Sequence, residues 1–283
     1  MANRKLDMGK AWTLTTGLIG ANRDTIGAIA GLFFFLPSLA ASIFVPQLAD
    51  PQAQAGPTGA APEAAMEALA AQMSAVYADN WPVLLALVVV QFIGSMTLLA
   101  LLTDRGRPTV GEALGTGLRS IPSYLAAQII SAVGAGLAVG LPFGLLAAFA
   151  PPAVTVLAIL LLVVLILYLF TKFALIAPAI AIEGERNPIA AIRRSWTLTR
   201  GNSLRILLFL FLLMFTIGLI ATLVSAVLTL ILSAMGEPVT TIGINVVSAL
   251  VNAALTVIFL VVTVAIHRQL AGPSGEALAE TFE

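Results

Sequence analysis

Five arginines crowd one short stretch of this chain: Arg186, Arg193, Arg194, Arg200 and Arg205. A guanidinium fork matches phosphate oxygens bidentately, so the chemistry such a cluster suggests is anion binding. Simple attraction to an acidic lipid surface and a dedicated headgroup pocket both fit it. Just before the cluster stand Glu183 and Lys172, the latter the only basic residue inside a long apolar run. At about 1.5 Å per helical residue, Lys172 lies about 30 Å along from Pro152, at the inner edge of a hydrocarbon layer. There its ammonium either snorkels to phosphate or pairs with Glu183 or a lipid headgroup. With Trp196 beside them, Lys172, Glu183, Arg193, Arg194 and Arg200 form the candidate headgroup site. A second set is uncharged: Gln91, Gln128, Ser131, Asn245, Ser248 and Asn252 interrupt otherwise apolar runs. The last three fall at i, i+3 and i+7, on one helix face. Amides and hydroxyls so placed either hydrogen-bond between helices or line a hydrophilic path; Gln91, Gln128, Asn245, Ser248 and Asn252 are the candidate polar seam.

Other chemistry is excluded by residue type. The chain has no cysteine and one histidine, His267, which removes disulfides, thiolate metal sites, cysteine nucleophiles and any site built from two imidazoles. No phosphate-binding loop, nucleophile elbow or zinc-protease helix pattern occurs. The expectation is therefore no catalytic residue, no metal and no cofactor: a chain that is not an enzyme. His267, next to Arg268, reads as an interfacial anchor. No acidic residue lies deep in an apolar run, so an ion-coupled transporter would lack its usual carboxylate. A net charge of zero gives no reason to expect nucleic acid as a partner.

The elements that must position these groups follow from composition. Of 283 residues, 59% are hydrophobic and 10% charged, against about 45–50% and 25% in a soluble domain. Only lipid can accommodate that much apolar surface, so the fold expected is an all-α membrane protein. Six runs reach the ~20 residues a helix needs to cross ~30 Å of hydrocarbon: 25–46, 82–103, 122–149, 153–182, 203–234 and 241–267. Ala150-Pro151-Pro152 separates the third from the fourth, and Pro178 allows the fourth to break, which would alter the count. Pro37, Pro142 and Pro178 are expected to kink helices and not to end them, since neighbouring helices can satisfy the freed carbonyls. All 14 basic residues lie at the N-terminal segment, at alternate connections, near Lys172 or at Arg268, and none lies in 47–81, 150–152 or 235–240. By the positive-inside rule both termini face the cytoplasm. A long signal peptide over 1–55, with small residues at Gln52-Ala53-Gln54-Ala55, is the rival reading, and its apolar run is too long. The Ala/Pro/Gly-rich stretch 47–62 then reads as an external linker, 63–79 as a short interfacial helix, and 271–283 as a disordered acidic tail.

Three segments preceding spans look alike, suggesting repeats over 4–104, 105–183 and 184–270 of one polytopic domain (1–270). Ala11-Trp12-Thr13-Leu14-Thr15-Thr16-Gly17 matches Ser195-Trp196-Thr197-Leu198-Thr199-Arg200-Gly201, with Ala113-Leu114-Gly115-Thr116-Gly117 between them. In this register Met8/Trp12, Val110/Leu114 and Ile192/Trp196 stack at i, i+4. Each segment reads as an amphipathic helix in the headgroup layer, followed by a helical hairpin. In the third span, Gly136-x3-Gly140-x3-Gly144 would let another backbone approach closely, within the chain or in a homo-oligomer.

From Lys172-Phe173-Ala174-Leu175-Ile176-Ala177-Pro178 through Glu183 and Asn187-Pro188 to Ser195-Trp196-Thr197-Leu198-Thr199-Arg200-Gly201, the chain resembles the membrane domain attached to some bacterial glycerophosphodiester phosphodiesterases. The pattern is a basic residue, a Pro, an acidic residue at the membrane exit, then a Ser-x-x-Leu-x-x-Gly helix. It is clearest over about 170–215 and is carried loosely to the rest by the six-span layout. The resemblance implies a bacterial inner-membrane module concerned with lipids or the envelope. It implies no catalysis, because those enzymes work in a separate soluble barrel with histidines and carboxylates around a metal. Three functions remain open: a non-enzymatic module binding anionic phospholipid at the cytoplasmic face, a passive transporter or channel for a small solute or lipid, and a regulatory subunit of a membrane complex.

Overall fold

The structure, a computed structural model, describes residues 5–48, 62–103, 108–149 and 151–272. Arg4, most of the 47–62 linker with Gln52–Ala55, Arg105, Arg107 and all but the first two residues of the 271–283 tail lie outside the described residues. Those described form helices and no strand. In order they are α1 (Met8–Ala21), α2 (Arg23–Phe44), α3 (Pro62–Leu101), α4 (Val110–Phe149), α5 (Pro152–Phe173), α6 (Ile176–Ala181), α7 (Pro188–Thr199), α8 (Ser203–Ser233) and α9 (Val239–Ala271). Six stretches are long and apolar enough to cross a membrane: Arg23–Phe44, Glu67–Leu101, Val110–Leu146, Leu157–Ala181, Ser203–Ser233 and Val239–Ala271. The chain is a multi-pass membrane protein.

A proline inside a helix acts through the carbonyl four residues before it, which it cannot bond and whose space its ring invades. Before Pro37, α2 widens into a π turn at Gly31–Phe35, where the Leu36 N–H reaches back to the Gly31 carbonyl. That extra residue relieves the crowding at Phe33. Pro178 does more. The helix stops at Phe173 and resumes at Ile176, so the break falls at Ala174-Leu175, beside the carbonyl Pro178 disables. Pro82 and Pro122 are absorbed within continuous helices. Two expectations change as a result: 63–79 is not a separate short helix but the first half of α3, and the middle similar segment around Ala113–Gly117 runs unbroken into its span as α4.

The described chain clusters into two compact units: one from Met1–Arg23, Met96–Phe215 and Ile258–Glu283, the other from Asp24–Ser95 and Thr216–Val257. In the first, Leu6, Ala11, Leu175, Leu198, Ile206, Leu210, Val262 and Ile266 form a buried apolar cluster. The N-terminal segment is tied into it by polar contacts. The Leu6 N–H donates to Asn202 Oδ1 at 3.0 Å, and Gln269 exchanges hydrogen bonds with the Asp7 backbone in both directions, each 3.1 Å. In the second unit, Gly94 lies against Phe33 and Phe34 so closely that any Cβ would collide with the Phe33 side chain.

The three similar segments share one register of burial within the first unit. Ala11, Ala113 and Ser195 are each fully buried, the positions four residues on (Thr15, Gly117, Thr199) are buried too, and Trp12 and Trp196 face outward at 44% and 38% exposure. Thr15 and Thr199 make the same back-bond, to the carbonyls of Ala11 (2.8 Å) and Ser195 (2.9 Å). Their trailing glycines differ. Gly201 turns the chain after α7 at φ +77°, a conformation other residues adopt only with strain, whereas Gly17 lies inside α1 in open space. Gly136, Gly140 and Gly144 likewise meet nothing within 4 Å, so no backbone of the described chain uses that stripe.

Candidate functional site

Within the first unit, α5, α7 with its C-terminal cap, α9 and the turn after α6 carry the four cationic residues and one carboxylate of the sequence reading, with His267, and they do not pair as expected. Glu183 follows α6. Arg194 clamps it: Nε donates at 3.0 and 2.7 Å to its two oxygens, and Nη2 donates at 2.9 Å to Oε1. On the same Oε1, at 2.8 Å, is Nε2 of His267. Since an ionised carboxylate only accepts, the Nε2 proton lies between the two. His267 is 3% exposed and its Nδ1 has no partner among the described residues. Burial alone would raise the carboxyl pKa of Glu183; the His267 and Arg194 hydrogen bonds, with their charges, overcome that and hold it down at about 2. His267 is thus a buried partner of Glu183 and not an interfacial anchor. An 84-residue separation hid that pair from the sequence; its only signal was a lone imidazole at one span end with an acidic residue at another.

The break before Pro178 explains the serine of the Ser-x-x-Leu-x-x-Gly helix. At the break Leu175 lacks an intrahelical acceptor. Its N–H donates instead to Ser195 Oγ at 3.2 Å, while that hydroxyl donates to the Lys172 carbonyl at 2.6 Å. Ser195 is fully buried, so one hydroxyl splices the interrupted helix from outside. Asn187 starts α7 by accepting from the N–H groups of Ile189 and Ala190, with Pro188 in the first turn, where its missing N–H costs nothing.

Lys172 and Glu183 do not pair, because Glu183 is already engaged. The Lys172 ammonium lies over two aromatic rings, 5.3 Å from the Tyr168 centroid and 5.5 Å from that of Trp196. Trp196 is held edge-on by Tyr168 and Phe173, with centroids at 6.1 and 5.9 Å. The residue is 3% exposed, so the side chain is slotted between rings rather than extended freely. Its charge also feels that of Arg200. Arg193, Trp196 and Arg200 are exposed on one face of α7 and its C-terminal cap, and no ion pair joins Lys172, Arg193 or Arg200 to a carboxylate among the described residues. Of the six residues expected to bind a headgroup, four are therefore together and uncompensated (Lys172, Arg193, Trp196, Arg200), and two (Glu183, Arg194) neutralise each other.

The polar seam also divides. Gln128 belongs to the first unit and donates to Tyr124 Oη at 3.0 Å, along its own helix. In the second unit Gln91, Asn245, Ser248 and Asn252 line one cavity of about 300 Å³, joined by Ser38 and Ser42, which sequence reasoning did not include. No cluster of acidic, histidine or cysteine side chains suited to a metal occurs among the described residues.

A family model described as "Domain of unknown function (DUF7847)" matches residues 13–270. No curated protein and no solved structure matches the chain.

Proposed function

This chain belongs to the DUF7847 family, and we propose that it is a non-enzymatic, lipid-associated module that binds anionic phospholipid at the cytoplasmic face of a bacterial inner membrane. One observation carries the reading. Lys172, Arg193 and Arg200 gather around Trp196 without a carboxylate among the described residues, while Arg194 and His267 consume Glu183. A buried ammonium without a counter-ion is costly, and a lipid phosphate supplies the missing charge where a tryptophan marks the headgroup layer. The distribution of all 14 basic residues supports cytoplasmic termini and, with them, a position for this cluster at the anionic leaflet. The likeness of 170–215 to phosphodiesterase membrane domains supports a role in lipid or envelope homeostasis.

The test is native mass spectrometry of the chain in native-lipid discs, comparing wild type with an Arg193→Ala/Arg200→Ala variant. Discrete anionic lipids should remain on the wild type and leave the variant, each lost cation weakening retention about five-fold, for about 1 kcal/mol apiece. If both carry the same bulk lipid, the cations are only anchors and the proposal fails.

A further inference from the structure

We propose that the cavity lined by Ser38, Ser42, Gln91, Asn245, Ser248 and Asn252 is a binding site for a small uncharged solute rich in hydroxyl or amide groups. It lies wholly in the second unit and does not depend on the phospholipid reading. Three membrane-spanning helices build it, α2, α3 and α9. All six polar side chains belong to segments that lipid would otherwise surround, where an unsatisfied amide costs several kcal/mol.

The expected remedy, hydrogen bonding from helix to helix, is not what these residues do. Ser42 Oγ donates to the Leu39 carbonyl of its own helix. The side chains of Gln91, Asn245, Ser248 and Asn252 have no hydrogen-bond partner among the described residues; Asn252 only offers its backbone carbonyl to Thr256. Three carboxamides and three hydroxyls therefore converge on one space with most of their capacity unspent. The space of about 300 Å³ corresponds to about ten waters at ~30 Å³ each, so it is roomy enough for a polar molecule and not merely a packing defect.

The lining chemistry selects the ligand. Carboxamides and hydroxyls both donate and accept, which suits hydroxyl and amide groups. No charged side chain lines the cavity, so an ion entering it would lose hydration without compensation. The remaining lining, Ala41, Ile244 and Ala249, is apolar and favours a compact carbon skeleton carrying polar groups.

The full chain in lipid discs would be titrated with glycerol and with urea, followed by saturation-transfer NMR, with acetate as a charged control. The expected result is saturable binding of glycerol and urea and none of acetate. Asn252→Leu and Gln91→Leu should each weaken binding about five-fold or more, as expected for one lost hydrogen bond. Ser248→Ala, which removes only the hydroxyl oxygen, should weaken it without disturbing helical circular dichroism, while Arg193→Ala leaves it unchanged. The proposal is overturned if neither probe saturates, if acetate binds equally, or if the variants bind like wild type. It is also overturned if Asn252→Leu converts a dimer to a monomer with no probe binding lost, which would make the seam a contact between copies.

Discussion

Replacing Glu183 with Gln removes the charge on which Arg194 and His267 converge and leaves the shape nearly unchanged. Its cost can be worked from the carboxyl itself. The site holds Glu183 at about 2 instead of 4.5, which at 1.36 kcal/mol per pH unit is about 3 kcal/mol of preference for the ionised form. Glu183 is 24% and Arg194 31% exposed, so water screens part of this and about 2 kcal/mol remains. Because the folded carboxyl is depressed, this stabilisation is complete above about pH 4.5 and drains away as the pH falls toward about 2. Thermal unfolding in detergent, followed by circular dichroism, reads both effects. At pH 7, Glu183→Gln should unfold roughly 5 °C earlier than wild type. Between pH 5 and pH 2.5 the gap should close, the wild type losing what the variant never had. A constant gap across that range, or none at pH 7, would refute the assignment of Glu183 as the ionised hub of this cluster.

Other outcomes follow from the same geometry. Ser195→Ala strands the buried Leu175 N–H at the helix break and should cost about 1–3 kcal/mol in denaturant titration, with amide exchange rising first at Leu175; unchanged exchange there would refute the splice. Gly117→Ala places a Cβ 2.6 Å from Thr97 Oγ1 and 2.8 Å from the Thr97 backbone nitrogen, so it should destabilise by about 1–3 kcal/mol. Gly140→Ala meets nothing and should be neutral or stabilising by up to about 1 kcal/mol; comparing the two melting temperatures tests the packing of α4. Trp196→Leu removes one of the two rings over Lys172 and should weaken retention of anionic lipid in native mass spectrometry by about 2–5-fold, the equivalent of a cation–π contact.

What could be read from the chain alone was whatever one segment decides for itself. Hydrocarbon requires each span to be long, apolar and helical regardless of its neighbours, so six runs of residues became six spans, and the start of α5 at Pro151-Pro152 and the α7 cap at Asn187-Pro188 were written locally. The Trp-Thr-Leu-Thr likeness was local too, and it reappears as a common pattern of burial. Pairing was not local. Whether Glu183 meets Lys172, eleven residues back, or His267, 84 residues on, depends on where two helix ends dock. Chain distance favoured the wrong partner. Ser195 shows the same limit: Pro178 advertised a break, yet only packing of α7 against it could supply the hydroxyl that repairs it. The uncharged seam was visible as residue types, but Ser38 and Ser42 looked like ordinary small residues, and Gln128 looked like one of the set. Tertiary structure divided them, because a polar side chain in a membrane takes its meaning from the helix it faces, and that is fixed by packing between spans rather than by the span that carries it.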